Sequence, residues 1–289
     1  MFYLLAVSSM LGYALQNALL VRYARRMDGL SLAFYRNISF LVTLLPLLFL
    51  SSPQEIAEVL SHWKVLLISG IAGGVYLAIV FESYHFIAIG VGHTIKQAAI
   101  NILMALAGLL LYEEVLPAME FLLVAVVVLS CIWLSMQRVD APHISQKLLL
   151  GISLSLLSAF PVIITKIILT DMSRAVDPLA SGYFWEAAIG IASAVTILLR
   201  WVLLRRGLTR IDSRTMLGIT AAASPTLIGT GCYALALSMG PIAIVSAIGS
   251  GSLIVTALCG WLWYHEKLSR SQWAALVFIL VAIAWLKFV

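Results

Sequence analysis

Ten nearly unbroken apolar stretches, at about 2–21, 31–50, 65–89, 93–112, 118–137, 148–170, 179–200, 216–238, 242–263 and 272–289, account for most of the chain. Each is close to the roughly 20 residues that an α-helix needs to cross a hydrocarbon core about 30 Å thick. Polar positions are confined to short breaks rich in charge, Gly or Pro. The pattern therefore predicts an all-α integral membrane protein with ten transmembrane helices. Two breaks, Gly90-Val91-Gly92 and Gly240-Pro241, hold only two or three residues, and connections that short join antiparallel neighbours. The first stretch has no basic segment before it and no small-residue cleavage site, so it reads as a retained helix rather than a signal peptide.

The one longer polar linker, residues 138–147, contains Pro142 and lies near the midpoint. It separates a first five-helix repeat, 1–137, from a second, 148–289. A shift of 152 residues lays Tyr112-Glu113-Glu114-Val115-Leu116 on Tyr264-His265-Glu266-Lys267-Leu268 and Trp133-Leu134 on Trp285-Leu286. With a three-residue slip, Asp28-Gly29-Leu30 matches Asp177-Pro178-Leu179. Five is an odd number, so the second repeat enters the membrane with the opposite orientation. The fold expected is two inverted five-helix repeats around a central cavity.

Composition agrees: 62% of the 289 residues are hydrophobic and 11% charged, with a mean hydropathy of +1.05, against about 45–50% apolar and 25% charged in soluble domains. A net charge of +5 and a pI near 9.2 would suit nucleic acid. However, the one dense basic cluster (Arg200, Arg205, Arg206, Arg210 and Arg214) sits between two apolar stretches, where it orients the chain in the bilayer. No nucleic-acid partner is expected. Corresponding loops carry opposite bias. Arg22, Arg25 and Arg26 follow the first helix against Arg174 alone after the sixth, and Lys64 alone follows the second against the arginine cluster after the seventh. The side holding the odd-to-even connections has twelve Lys/Arg and the other three, which places both termini outside the cytoplasm.

The chemistry available is sparse. Cys131, Cys232 and Cys259 lie in apolar stretches without CxxC or His-rich spacing, so neither a disulfide nor a metal site is expected, and no cofactor is implied. The chain lacks a GxxxxGK[ST] phosphate loop, an HExxH motif, paired intramembrane Asp and any Ser–His constellation. It is not expected to be an enzyme, and any work it does draws on a gradient. Ionisable groups inside a span cost on the order of 2.5–3.5 kcal/mol each on insertion scales and face a cavity or a partner. Here they are Arg36, Glu82, His85, Lys96, Lys166 and Glu186, with His93 at a helix mouth. Glu82 and His85 share a helix face, and the glycine turn folds that face onto the helix carrying Lys96. A buried Glu82–Lys96 pair is expected, either as a structural link or as a pair that opens for a substrate. Gln97 and Asn101 continue the polar stripe, and Ser246 and Ser250, four apart, offer hydroxyls from the ninth helix. Arg36, Lys166 and Glu186 are the candidates for gating or coupling, with Glu82 and Glu186 as the carboxyls for proton coupling.

Two halves of five helices, Phe34-Tyr35-Arg36 opening the second helix, and Glu114 and Glu266 closing the fourth and ninth, together resemble the EamA-type transporters of the drug/metabolite transporter superfamily over essentially the whole chain. Where the family's pattern places an Arg in the second half, this chain has Trp185-Glu186. The resemblance implies a multi-pass protein of the cell inner membrane that exports a small metabolite, as monomer or homodimer. It also implies that aromatic and His side chains of the third helix line the cavity, which makes Tyr84 and His85 the first candidates for substrate contact. It further implies cytoplasmic termini, opposite to the charge count. The mixed charges suit a zwitterionic or charged metabolite, an amino acid or a compound derived from one, moved by alternating access between two gates. Efflux of lipophilic drugs is the alternative within this class. A membrane-embedded enzyme or a sensor without transport is the alternative outside it.

Overall fold

The computed structural model describes residues 1–24, 26–83, 86, 89–136, 148–264 and 269–288, and every regular element among them is a helix. The first half contains α1 (Phe2–Ala24), α2 (Gly29–Thr43), α3 (Leu45–Phe49), α4 (Pro53–Ser61), α5 (Trp63–Ser83), α6 (Ile89–Leu111) and α7 (Ala118–Met136). The second contains α8 (Leu148–Leu157), α9 (Ala159–Ala175), α10 (Pro178–Leu204), α11 (Ser213–Ala223), α12 (Thr226–Met239), α13 (Ile242–Gly249), α14 (Ser252–Tyr264) and α15 (Arg270–Trp285).

Among the described residues each apolar stretch of the sequence is largely helical, and seven rods have the length and composition of a membrane span. These are α1, α2 with α3, most of α5, most of α6, α8 with α9, α10, and α13 with α14. The apolar parts of α7 and α15 are shorter, at 17 and 16 residues, and the α11–α12 rod is interrupted at Ser224-Pro225. Breaks fall where helix hydrogen bonding fails. Pro225 has no N–H to give, Pro161 occupies the first turn of α9 after the break at Ser158, and Pro46 follows the step at Leu44. One element is absent from the hydropathy pattern: α4 is a short amphipathic helix, started by a capping box in which Ser52 and Glu55 satisfy each other's backbone N–H groups.

The exterior is apolar, with Leu67, Ile71 and Val75 of α5, Leu198 and Val202 of α10, and Val277 and Val281 of α15 about half exposed or more. Such a surface belongs in lipid. The core, by contrast, is filled by Phe40, Leu44, Met104, Leu237, Ile242, Ile248 and Ile279. The widest helix contacts are α1 on α12 and α5 on α10, and glycine permits both. A Cβ on Gly12 would stand 2.6 Å from the Gly229 amide nitrogen, and one on Gly70 would stand 2.7 Å from the Ala188 carbonyl, so these backbones meet with no side chain between them.

Packing is reciprocal between helices that correspond under the 152-residue shift. α1 rests on α12, and its counterparts α8 and α9 rest on α5; α1 also touches α13 and α14, as α8 and α9 touch α6. The corresponding pairs α2 and α10, α6 and α13, and α7 and α15 meet each other directly. The start of α1 and the end of α15 meet at one face, where the Tyr3 hydroxyl donates to the Ile283 carbonyl and Phe2 lies against Gly240.

Candidate functional site

Charged side chains gather at mid-depth where α2, α5, α6, α9, α10 and α12 converge. Glu186 is the only carboxylate among the described buried side chains, 4% exposed, and its Oε1 accepts the Thr230 hydroxyl at 3.2 Å. The Tyr13 hydroxyl lies 2.9 Å from the same Thr230 oxygen, and the Tyr13 ring meets the Tyr233 ring edge-on at 6.3 Å. Lys166, half-buried on α9, donates to the Tyr233 hydroxyl at 2.9 Å, with its ammonium 4.9 Å from that ring centre. Lys96, buried on α6, donates to the Tyr76 hydroxyl at 2.8 Å and stands 5.1 Å from that ring centre. Arg36 is held by the Phe40 ring at 4.9 Å and by Asn37 Oδ1, to which its Nε donates at 3.2 Å. It lies within electrostatic reach of Glu186, Tyr13 and Tyr76, and Lys166 is also within reach of Tyr76.

A second polar group joins α6 to α13. Asn101 Nδ2 donates to Ser250 Oγ at 2.6 Å, while Asn101 Oδ1 accepts from Ser246 Oγ at 2.9 Å and from Gln97 Nε2 at 3.2 Å. Gln97 also reaches Ser250 at 3.3 Å. The four residues proposed from their stripes thus meet one another across the two halves.

The antiparallel pair α2–α10 is fastened at both ends and in the middle. Asp28 caps α2 by accepting from the Ser31 amide at 3.1 Å, and it also accepts from Arg200 Nη1 and Thr209 Oγ1, each at 2.7 Å. Partial burial opposes its ionisation, but the bonds from Ser31, Thr209 and Arg200 outweigh that and hold its carboxyl well below the usual carboxylate range. At the other end Asp177 caps α10, accepting from the Ala180 amide at 2.6 Å and from Ser51 Oγ at 2.7 Å. Between them Asn37 Nδ2 donates to Ser193 Oγ at 2.8 Å. Asp28 to Ser51 and Asp177 to Arg200 are both 23 residues, about 35 Å of helix at 1.5 Å per residue. Each aspartate therefore meets the far end of its counterpart helix.

A third fastening sits near Arg174. Its guanidinium donates to Glu114 Oε1 at 2.7 Å and to the terminal α12 carbonyls of Leu237 and Gly240 at 3.0 and 2.9 Å. Glu114 Oε2 accepts the first α13 amide, that of Ile242, at 2.9 Å. Glu113, at φ 51°, makes the left-handed turn that sends Glu114 there. A carboxylate at a helix start and a cation at a helix end both suit the helix dipole. Glu114, which closes the fourth apolar stretch in the sequence, thus caps a helix of the other half.

Other expectations fare differently. Tyr84 and His85 lie outside the described residues, as does Glu266. Glu82 is exposed at the end of α5 while Lys96 is buried against Tyr76, so the expected buried Glu82–Lys96 pair is replaced by a Lys96–Tyr76 bond. Equal depth along α5 and α6 brought the two residues level, but Glu82 faces outward. Arg36 and Glu186 lie within electrostatic reach of each other. They lie about 12 and 21 Å along the same axis from Asp28 and Arg200, a gap that two long side chains narrow. Tyr13, Thr230 and Tyr233 went unnoticed because a tyrosine in an apolar run also suits an interfacial belt, and their partners lie far off in the chain. Among the described residues no three His, Cys, Asp or Glu side chains gather as a metal ion requires.

The EamA-like transporter family model matches residues 148–288. Among solved structures, one protein known from a crystal structure superposes with a TM-score of 0.70 at 14% identity, covering 98% of this chain and 95% of its own. That likeness concerns the fold alone. No curated protein matches the chain.

Proposed function

The second half of the chain, residues 148–288, belongs to the EamA-like transporter family of the drug/metabolite transporter superfamily, and on that premise we propose that this multi-pass membrane protein is a secondary transporter of a small charged metabolite. One observation carries the reading: Glu186, Arg36, Lys96 and Lys166 meet in the middle of a bundle whose exterior suits lipid. Ionisable groups at that depth mark a pathway or a binding site. In the proposed arrangement the chain crosses the membrane ten times, as two inverted five-helix repeats, with α7, α15 and the broken α11–α12 rod as the remaining spans. The reciprocal packing of corresponding helices supports this.

Alternating access follows from the two aspartate clasps. The Asp28–Arg200–Thr209 clasp closes one end of the α2–α10 pair and the Asp177–Ser51 clasp the other, with the charged centre between them. Release of one clasp while the other holds opens the site to one side at a time. Arg36, Lys166 and Glu186 belong to the site in this scheme, with Glu186 as the proton-coupling carboxyl, while the gates are Asp28 and Asp177. The Asp28 face carries most of the Lys/Arg and is cytoplasmic by the positive-inside rule. Net movement is outward, as the family resemblance implies.

Reconstitution into liposomes tests the reading. Purified protein is expected to move at least one labelled small metabolite down its own gradient and, with a pH gradient imposed, against it. Glu186→Gln is expected to keep exchange and lose the response to pH. Transport that ignores a pH gradient in the unaltered protein would leave a uniporter, and no transport of any metabolite by folded protein would overturn the proposal.

A further inference from the structure

Glu186, Thr230 and Tyr13 form a hydrogen-bonded chain whose direction can be read. A threonine hydroxyl has one proton to give. Thr230 gives it to Glu186 Oε1 at 3.2 Å, so the 2.9 Å contact between Thr230 Oγ1 and the Tyr13 hydroxyl is a bond that the phenol donates. The proton of Tyr13 is thereby engaged, and its oxygen is left to accept. A carboxyl protonated on Oε1 becomes a donor, and the chain then runs the other way: Glu186 donates to Thr230, Thr230 donates to Tyr13, and the Tyr13 O–H is released. One proton on Glu186 turns Tyr13 from an acceptor into a donor without any movement of the backbone.

Exposure says which end of the chain a ligand meets. Glu186 is 4% exposed and Thr230 fully buried, whereas Tyr13 is half-buried. The Tyr13 ring meets Tyr233 edge-on, and the Tyr233 hydroxyl receives the Lys166 ammonium. The elements packed against α10, which carries Glu186, are α2, α3, α4, α5, α9 and α12. Arg36 of α2 is within electrostatic reach of both Glu186 and Tyr13, Tyr233 of α12 is within reach of Tyr13, and Lys166 of α9 is within reach of Tyr76 of α5. α3 has no ionisable residue; on α4, Glu55 is held in its own cap by Ser52 and Glu58 is exposed. We propose that Tyr13 touches the substrate and that Thr230 relays to it the protonation state of Glu186. With Tyr13 as acceptor the chain suits a substrate ammonium, which can only donate, and proton uptake by Glu186 withdraws that acceptor. The inference rests on the reading of Glu186 as the proton-coupling carboxyl and gives the coupling its sign: substrate and proton each weaken the other's binding, so they move in opposite directions.

The relay is tested without a ligand. In infrared difference spectra of the protein in nanodiscs between alkaline and acid pH, protonation of Glu186 is a carboxyl C=O band that Glu186→Gln abolishes. A change in the tyrosine C–O band, which responds to whether the phenol donates or accepts, is expected to accompany it and to vanish in Tyr13→Phe. Thr230→Val, similar in size but without the hydroxyl, is expected to keep the carboxyl band and lose the tyrosine change, and Thr230→Ser to keep both. The contact is tested with alanine and its N-trimethyl derivative, which has the same charge but no N–H. At alkaline pH alanine is expected to bind about tenfold tighter, a preference that falls as the carboxyl band grows and that Tyr13→Phe removes at every pH. A tyrosine change that survives Thr230→Val, or alanine bound no tighter than its derivative, would overturn the inference while leaving a transporter. Should Thr230→Val not fold, Tyr13→Phe decides, because a pH-dependent preference that survives it overturns the relay. Folded protein that moves no metabolite overturns the reading beneath it.

Discussion

Asn101 reaches the other half of the molecule with both ends of its amide, accepting from Ser246 and donating to Ser250, while Gln97 of its own helix also donates to its Oδ1. Asn101→Ala would leave the buried Ser246 hydroxyl without its acceptor and take the closer of two donors from Ser250, which costs about 1–3 kcal/mol. The expected outcome is a lower melting temperature of the purified protein with the helix content unchanged. An unshifted melting temperature would mean that water or the neighbouring Gln97 replaces the amide. Asp28 supports a pH prediction. Its carboxyl ionises at lower pH in the folded chain than in the unfolded one, so its stabilisation is complete above the ordinary carboxylate range and is lost as pH falls towards the depressed folded value. Asp28→Asn keeps the helix cap but not the charge. It is expected to melt earlier than the unaltered protein at pH 7, with a gap that narrows below about pH 4. The polar stripes of α6 and α13 were legible because hydroxyl and amide groups four apart stand out in an apolar run. The two Lys–Tyr couples were not, because each residue alone has an ordinary explanation.

Several helix ends in this chain are held by residues distant in the sequence, some of them from the opposite half. Asp28 caps its own α2 and holds the end of α10, while Asp177 caps α10 and holds the end of α2. Glu114 and Arg174 do comparable work at α13 and α12. Arg174→Gln removes the cation from the end of α12 and the ion pair to Glu114, at side chains 29% and 13% exposed. A charge set against a helix end in a partly buried setting contributes up to about 2 kcal/mol, so a loss of about 1–2 kcal/mol is expected. Glu114→Gln combined with Arg174→Gln should cost less than the two separate losses added together, because each single change leaves the other charge unmatched. Strict additivity would show that the two groups do not act together. The helices themselves were legible from hydropathy to within a few residues, whereas the Asp-x-Leu match was read only as a trace of the repeat and not as a pair of caps. The α4 segment was not, because a nine-residue amphipathic helix leaves no long apolar run. The reach of the caps across halves was hidden too, since an N-cap signature names the helix it starts and not the helix it touches.

At the scale of the molecule, the α2–α10 pair joins the two halves of the chain, with charged side chains near it and an aspartate clasp at each end. One turn motif and one register shift led the sequence to predict a repeat, and the opposite loop charges led it to predict an inversion. Those clues propose which helices correspond but do not say that α2 and α10 lie together, which depends on contacts between residues well over a hundred positions apart. The central claim is that the two clasps are gates to one site. It is tested most directly by thiol accessibility in sealed vesicles of known orientation. In a background with Cys131, Cys232 and Cys259 replaced by Ala, Thr230→Cys places a single thiol beside Glu186. With Asp28→Asn added, a membrane-impermeant thiol reagent is expected to label that cysteine from the face bearing Arg200, and with Asp177→Asn added, from the face bearing Ser51. Labelling from the same face in both variants, or from neither face in either, would contradict the account.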